Sequence, residues 1–182
     1  MGIQKATLAG GCFWCTEAVF QRLKGIHSVK SGYIGGTIKN PAYREICTGR
    51  TGHAEAIEVA YDPETISYRQ LLYVFFATHD PTTLNRQGAD KGTQYRSAIF
   101  YHTPEQEQTA REVIEELTEQ QIFPNPIVTE ITIASEFYEA EEEHRNYYNQ
   151  HQSQSYCQYV ISPKVAKLKA KFADLLQSEP AS

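Results

Sequence analysis

Two cysteines three residues apart, in Gly10-Gly11-Cys12-Phe13-Trp14-Cys15, are the residues of this sequence best placed to do chemistry. Residues 4–9 read as a short strand. Residues 12–23 read as a helix, with Ala18, Val19, Phe20 and Leu23 as its apolar contacts. A strand, two glycines and a helix put Cys12 at the helix start, where unpaired backbone N–H groups and the macrodipole favour negative charge. The thiolate is the reactive form of cysteine, so this position predicts a thiol that ionises near neutral pH. The glycines let the backbone turn tightly and leave the sulfur approachable. Cys15 lies one turn further on, within reach of a disulfide, and Phe13 and Trp14 set two large rings beside the sulfur. Two other roles compete. A cysteine among aromatics often packs a core, and a CxxC pair can hold a metal. Structural zinc takes a second close pair of ligands, and Cys47 and Cys157 stand alone, so no metal is expected.

A proton donor is the second need of thiol chemistry, and Glu55 is the candidate. Residues 54–61 alternate as a strand and put Glu55 on one face with Ile57, Val59 and Tyr61. An acid on an apolar face needs partners or stays protonated. Desolvation would raise its pKa and make it a donor near neutrality. The same periodicity allows Glu55 to face solvent, and the two readings are equal on pattern alone. His53 reads as a hydrogen-bonding loop residue. Gly88 to Ser97 is a polar, glycine-flanked loop of the kind that carries binding residues. Phe137 to His144 is acidic and aromatic and reads as a solvated helix face in preference to a metal site.

The elements that must position these residues follow from the rest of the chain. Strands are expected over 29–34, 96–102 and 127–134, and helices over 66–78, 104–119, 138–150 and 163–176. Thr103-Pro104 has the form of an N-cap with proline at the first helical position. Residues 35–52 and 79–94 are long loops rich in turn formers, and loops of that length are often functional. Strands and helices without a βαβ rhythm predict an α+β fold, a two-layer sandwich with a central mixed β-sheet flanked by helices and long active-site loops. The 182 residues suit a single domain, with a core over about 6–150 and a C-terminal tail over 151–182, frayed from Gln177. The net charge of −5 calls for neither nucleic acid nor an anionic membrane as partner. The lack of a basic-then-apolar N-terminus, and only four cysteines, point to a reducing cytoplasm.

Taken together, GGCFWC (10–15), GYIGG (32–36), NPAYREIC (40–47), TGHAEA (51–56), HDPTTLNRQGAD (79–90), GTQYRSAI (92–99) and FYEAEEEH (137–144) resemble the peptide methionine sulfoxide reductase A family. The likeness runs over residues 6–150. It implies reduction of the S-epimer of methionine sulfoxide, free or in proteins, with thioredoxin or another dithiol as electron source and no cofactor. Residue by residue, it implies Cys12 as nucleophile and Phe13 and Trp14 as the pocket for the substrate's methyl group. It implies Glu55 as the acid serving the sulfoxide oxygen, Tyr43 and Tyr95 as phenols beside that oxygen, and Asp90 as an organiser. A monomer is expected.

The departure from the family pattern lies in the recycling thiol. Many members carry glycine where Cys15 stands and place resolving cysteines in a glycine-rich tail. Here the tail around Cys157 contains no glycine. Cys15 is favoured as resolver because closing a short loop costs little entropy. Cys157, or a relay from Cys15 to Cys157, is the alternative. Cys47 is expected to be a buried structural thiol. Two rival functions remain on the residues alone: a thioredoxin-like CxxC disulfide oxidoreductase, and a metal-stapled binding module.

Overall fold

The structure, a computed structural model, describes residues 2–177. Strand β1 (Gln4–Gly10) leads into α1 (Phe13–Phe20), β2 (Ile26–Ile34), the single turn α2 (Tyr43–Ile46) and β3 (Ala54–Tyr61). Helix α3 (Tyr68–Ala77) comes next, followed by a two-strand ribbon of β4 (Arg86–Gln87) and β5 (Asp90–Lys91). Then come β6 (Ser97–Tyr101), α4 (Pro104–Glu119), β7 (Glu130–Ile133) and β8 (Tyr138–Glu139). The short α5 (Tyr147–Gln150), a π-helical turn (Cys157–Ile161) and α6 (Ser162–Lys171) complete the order, with a 3₁₀ turn over Ala173–Leu175.

The main sheet runs β7-β6-β1-β3-β2-β8. The β6–β7 pair is parallel and the others are antiparallel, so the sheet is mixed. Side chains alternate across each strand. One face carries Leu8, Ile57, Val59 and Ile99, and α1, α3 and α4 bury their apolar residues there, among them Phe20, Leu72, Phe75 and Val113. The opposite face holds a smaller cluster of Ala9, Ala54, Ala56, Ala98 and Phe100, covered by Phe137. All the major helices lie on one side, which gives the expected two-layer α+β sandwich.

Local signals explain the helix starts. Ser67 Oγ accepts the Gln70 N–H at 3.1 Å while Gln70 Oε1 accepts the Ser67 N–H at 2.9 Å, a closed capping box for α3. Thr103 caps α4 through the Gln106 N–H at 3.1 Å, with Pro104 in the first turn. None of the helices among the described residues is long and apolar enough to cross a membrane.

Three expectations fail after residue 137. The helix expected over 138–150 is instead β8, a 3₁₀ turn (Glu142–His144) and α5. Tyr138 and Glu139 pair with β2 at Tyr33 and Gly32, and Asn146 adopts a left-handed φ of +55°, which interrupts the helical path. The final helix starts and ends earlier than 163–176. Its π-helical entry carries Cys157, and Cys157, Ile161, Val165 and Leu168 are buried. Gln177 is anchored, its N–H donating to Arg22 O at 2.8 Å and its side chain to Gln21 O at 2.7 Å. The rest of the expected frayed tail, 178–182, lies outside the described residues.

Candidate active site

Gly11 fixes the entry to the site. Its φ of +93° turns β1 into α1, and a Cβ there would stand 2.6 Å from Gln87 Cγ of β4. Cys12 follows as the N-cap of α1, extended at φ −60°, ψ 129°, and its carbonyl accepts the Cys15 N–H at 3.0 Å. The next amide, Phe13 N–H, is one of the donors a helix start leaves unpaired. It donates to Glu55 Oε1 at 3.1 Å. Strand β3 therefore aims Glu55 at the start of α1, and the solvent-facing alternative is excluded: Glu55 is 1 % exposed.

Glu55 Oε2 is buried without a hydrogen-bond partner. Burial pushes the carboxyl up to about 8, against the pull of the Phe13 amide, and negative charge at Asp90 and Cys15 adds to the rise. The group keeps its proton at pH 7. That is the state a proton donor needs.

The thiols depart from the helix-start argument. Cys12 is only 7 % exposed. Burial first, then its hydrogen bond with Cys15 and the neighbouring Glu55, hold its pKa well above the usual thiol value. Cys15 is the acceptor of that bond and is lowered to about 7, with Lys164 and Tyr156 helping against burial. The two sulfurs share a proton, so the first loss near pH 7 belongs to the pair and the second comes far higher. In the substrate-free site, burial opposes the helix start and raises Cys12, while Cys15 beside it is lowered.

The other residues come from coil. Tyr43 opens α2, held by a bond from its own N–H to Glu141 Oε2 at 3.0 Å. Tyr95 ends the 3₁₀ turn after β5. Both phenols are half-buried, and burial followed by the charge of Glu55 raises both pKa values, so they remain donors. Asp90 of β5 accepts the Tyr156 O–H at 2.7 Å, and that oxygen lies 3.7 Å from Cys15 Sγ. Asp90 thus reaches the thiols through a tyrosine that pattern reading missed.

The aromatic pair divides. Phe13 is fully buried in the main core, 5.7 Å from the Tyr33 ring and 6.3 Å from that of Tyr43. Trp14 is partly open. Its indole stacks on Tyr147 at 3.9 Å and 7°, meets Tyr156 edge-on at 5.9 Å, and donates from Nε1 to His144 Nδ1 at 3.1 Å. Cys12, Cys15 and Cys157 fall in one buried cluster with Tyr148, Ile161 and Val165, flanked by Trp14, Tyr95, Tyr147 and Tyr156. All four cysteines are free.

Cys47 is exposed, not the buried structural thiol expected. It is the C-cap of α2, just past the buried Ile46. His53 is a hydrogen-bonding loop residue as expected: Nδ1 accepts the Gly36 N–H at 3.0 Å and Nε2 reaches Ile38 O at 2.6 Å. Glu141, Glu143 and His144 do gather, with ligand-type atoms within 4.8 Å. Glu141 already accepts from Tyr33 and Tyr43, and His144 Nδ1 accepts from Trp14. An open groove of about 480 Å³ is lined by His79, Gln87, Phe123, Lys164 and Lys167 and contains none of the thiols.

A nucleophilic thiol pair facing a buried, protonated acid suits the two-electron reduction of a substrate whose oxygen must be protonated to leave. The likeness to known proteins agrees. A family described as peptide methionine sulfoxide reductase matches residues 4–176. The peptide methionine sulfoxide reductase MsrA of Deinococcus radiodurans is 63 % identical over 174 residues, 96 % of this chain and 84 % of the relative. That of Chromobacterium violaceum is 56 % identical over 97 % of this chain and all of its own. Among solved structures, reduced Mxr1 of Saccharomyces cerevisiae aligns with a TM-score of 0.78 at 36 % identity, over 86 % of this chain and 90 % of that one. Mxr1 in complex with Trx2 aligns at 0.55 and 28 %, over 80 % and 85 %. The chain belongs to the peptide methionine sulfoxide reductase family. Neither the disulfide oxidoreductase nor the metal-stapled module is favoured beside that membership.

Proposed function

We propose that this chain reduces the S-epimer of methionine sulfoxide, free or in proteins, with Cys12 as nucleophile and Glu55 as proton donor. The reduction of methionine sulfoxide follows from family membership; the residue roles are our reading of the site. The observation that carries it is Glu55, a carboxyl buried at the start of the cysteine helix, with one oxygen bound and the other unpartnered. A sulfoxide sulfur is a poor electrophile until its oxygen is protonated. Glu55 supplies that proton, with the Tyr43 and Tyr95 phenols as donors beside it. Positive charge developing on the substrate favours the Cys12 thiolate and draws the shared proton toward Cys15. Trp14 faces the methyl group and excludes water.

The electrons balance without a cofactor. The sulfur of Cys12 bonds to the sulfoxide sulfur; the S–O bond and then that new S–S bond break, the oxygen with the proton from Glu55 passes to the Cys12 sulfur, methionine leaves with the S–S electron pair, and Cys12 becomes a sulfenic acid. A second thiol attacks it, forming a disulfide and releasing water. Cys15 is favoured for that step because it already hydrogen-bonds Cys12; Cys157, buried in the same cluster, is next in line. An external dithiol then reduces the disulfide by exchange. Thioredoxin fits that role, since Mxr1, a structural neighbour, is solved with Trx2. We read the 182 residues as one domain acting as a monomer in the cytoplasm.

Thiol counting after one turnover without reductant tests the scheme. The parent should lose two thiols per methionine formed. Cys15→Ser should accumulate a sulfenic acid on Cys12, and Cys157→Ser should still close a disulfide. A disulfide formed unchanged in Cys15→Ser would assign resolution to Cys157. Methionine released by Cys12→Ser would remove Cys12 from the reaction.

A further inference from the structure

Glu141 lies two residues past β8, and the scheme above gives it no part. Its carboxylate accepts from two distant parts of the chain at once. Oε1 takes the Tyr33 O–H at 3.1 Å, and Oε2 takes the Tyr43 N–H at 3.0 Å. Burial works against the charge, yet the Tyr43 amide and the Tyr33 phenol hold the carboxyl below the ordinary glutamate value. Ladder bonds fix the segment that carries it. Tyr138 and Glu139 pair with Tyr33 and Gly32, and the Ala140 N–H donates to Ser31 O at 2.8 Å. Tyr33 itself is fully buried on β2, opposite Glu55 of β3. One end of the bridge is therefore rooted in the sheet.

The other end needs that root. Helix α2 is a single turn of four residues, too short to be stable alone. Its N-cap is Ala42, whose methyl group accepts no hydrogen bond. Glu45 Oε1 covers the Ala42 N–H at 2.9 Å, and the remaining bonds of the turn close within residues 42–49. The bond from Tyr43 N–H to Glu141 leaves the turn and reaches the sheet. The Tyr43 ring lies 6.3 Å from that of Phe13 and 4.4 Å from that of His144. Such contacts orient a ring; they leave the place of its backbone to other bonds. We propose that Glu141 is a positioning residue for the Tyr43 phenol, anchoring the start of α2 through the Tyr43 N–H while Tyr33 holds the carboxylate on the sheet. The inference rests on the proposed role of Tyr43 as a donor beside the sulfoxide oxygen.

A donor acts only where its proton meets the reacting oxygen, and a misplacement of about 1 Å can cost about 10²-fold. Losing the anchor should therefore strike the chemical step, as losing the phenol does. The anchor bonds the backbone of Tyr43, not its side chain. Tyr43→Phe leaves that bond in place and removes the group it positions. The two losses should then fail to add.

A double-mutant cycle tests this through the single-turnover rate at saturating N-acetyl-methionine S-sulfoxide. Tyr43→Phe should lower the rate about tenfold, since Glu55 and Tyr95 still donate. Glu141→Ala should lower it about as much, with KM within about threefold of the parent. In the Tyr43→Phe background, Glu141→Ala should change the rate by less than about twofold. Glu141→Ala also leaves the buried Tyr33 phenol without its acceptor, which weakens the fold. Tyr33→Phe/Glu141→Ala removes that orphan, and its thermal unfolding should lie close to the parent's. Its rate should stay about tenfold down, because the Tyr43 N–H still lacks its anchor. Recovery of the parent rate in that protein overturns the inference, since Glu141 would then serve the core alone. A full second loss of about tenfold in the Tyr43→Phe background overturns it too. If Tyr43→Phe is slow while Glu141→Ala matches the parent, only the role of Glu141 falls. If Tyr43→Phe itself matches the parent, the reading of Tyr43 falls and takes this inference with it.

Discussion

The site has a half built on regular structure and a half built on coil, and the two are held by different forces. Cys12, Phe13 and Glu55 sit where β1, α1 and β3 meet. Backbone ladders fix them: β3 is paired on both edges, to β1 and to β2, and Glu55 lies opposite Tyr33. Tyr43, Asp90, Tyr95, His144 and Tyr147 sit on single turns and two-residue strands, and Tyr156 at the entry to the π-helical turn before α6. What holds them is mostly one side chain on another: Tyr156 on Asp90, Trp14 on Tyr147 and His144, Tyr33 on Glu141. In the proposed scheme the ladder half carries the groups that exchange protons. In the same scheme the coil half carries the groups that shape the pocket and orient its donors. A change in the ladder half should therefore strike the chemical step, and a change in the coil half should strike binding or recycling.

The largest effect is expected at Cys12. Cys12→Ser should remove methionine formation in a single turnover, a fall of at least about 10⁴-fold, because no other sulfur occupies the helix start. At Glu55, Glu55→Ala should lower the single-turnover rate about 10²- to 10³-fold, the range for losing a positioned donor at the reacting oxygen. Glu55→Gln should lose less, since an amide still donates. The pH profile sharpens this. The parent rate should rise as the thiol pair loses its first proton near 7 and fall as Glu55 ionises near 8. Glu55→Gln should keep the first limb and lack the second. A falling limb retained in Glu55→Gln would move the acid role elsewhere.

Tyr156→Phe, in the coil half, should have a smaller effect of about tenfold or less on kcat/KM. It should show chiefly in disulfide formation, because the lost hydroxyl bonds Asp90 and touches Cys15. An equal loss in the first turnover would erase the distinction between the halves.

The smallest effect concerns stability, and it compares two buried carboxyls of the same helix region, Glu55 against the start of α1 and Glu17 within it. Glu17 and Glu55 each have one orphaned oxygen and each is raised by burial, to about 7 and about 8. A raised carboxyl makes the folded state bind more protons than the unfolded chain. Its contribution is whole below about 4.5 and is lost as pH climbs toward the folded value. Each pH unit in that window is worth at most about 1.4 kcal/mol per group. Denaturant unfolding of the parent should show falling stability from pH 5 to 8. Glu17→Gln and Glu55→Gln should each flatten that slope, and a slope unchanged in both would show the carboxyls ionised throughout.

Much of the ladder half was legible in the residues alone. The strand-glycine-helix run placed Cys12, and a period of two gave Glu55 its candidate face, because local pattern governs both. What pattern could not choose was whether that face looked inward. Only the packing of α1 on β3, with the Phe13 amide meeting the carboxyl, decided it. The thiol ionisation was misjudged for a related reason: a helix start is a local feature, whereas desolvation is a property of everything packed around the sulfur.

The coil half was hidden because its residues meet across 60 to 140 positions of chain, by bonds no periodicity encodes. The expected helix over 138–150 shows the limit well. Its acids and aromatics suit a solvated helix locally. The chain instead pairs Tyr138 and Glu139 with β2 over Gly32, where the absence of a side chain lets the backbones close. That turn delivers His144 and Tyr147 to Trp14. The sequence by itself determined which thiol stands at a helix start, the alternation of its strands and the α+β class, since each is set by neighbours a few residues apart. The tertiary structure alone decided which groups are dry, what surrounds the two thiols and what holds the indole, since those depend on residues that only the fold brings together.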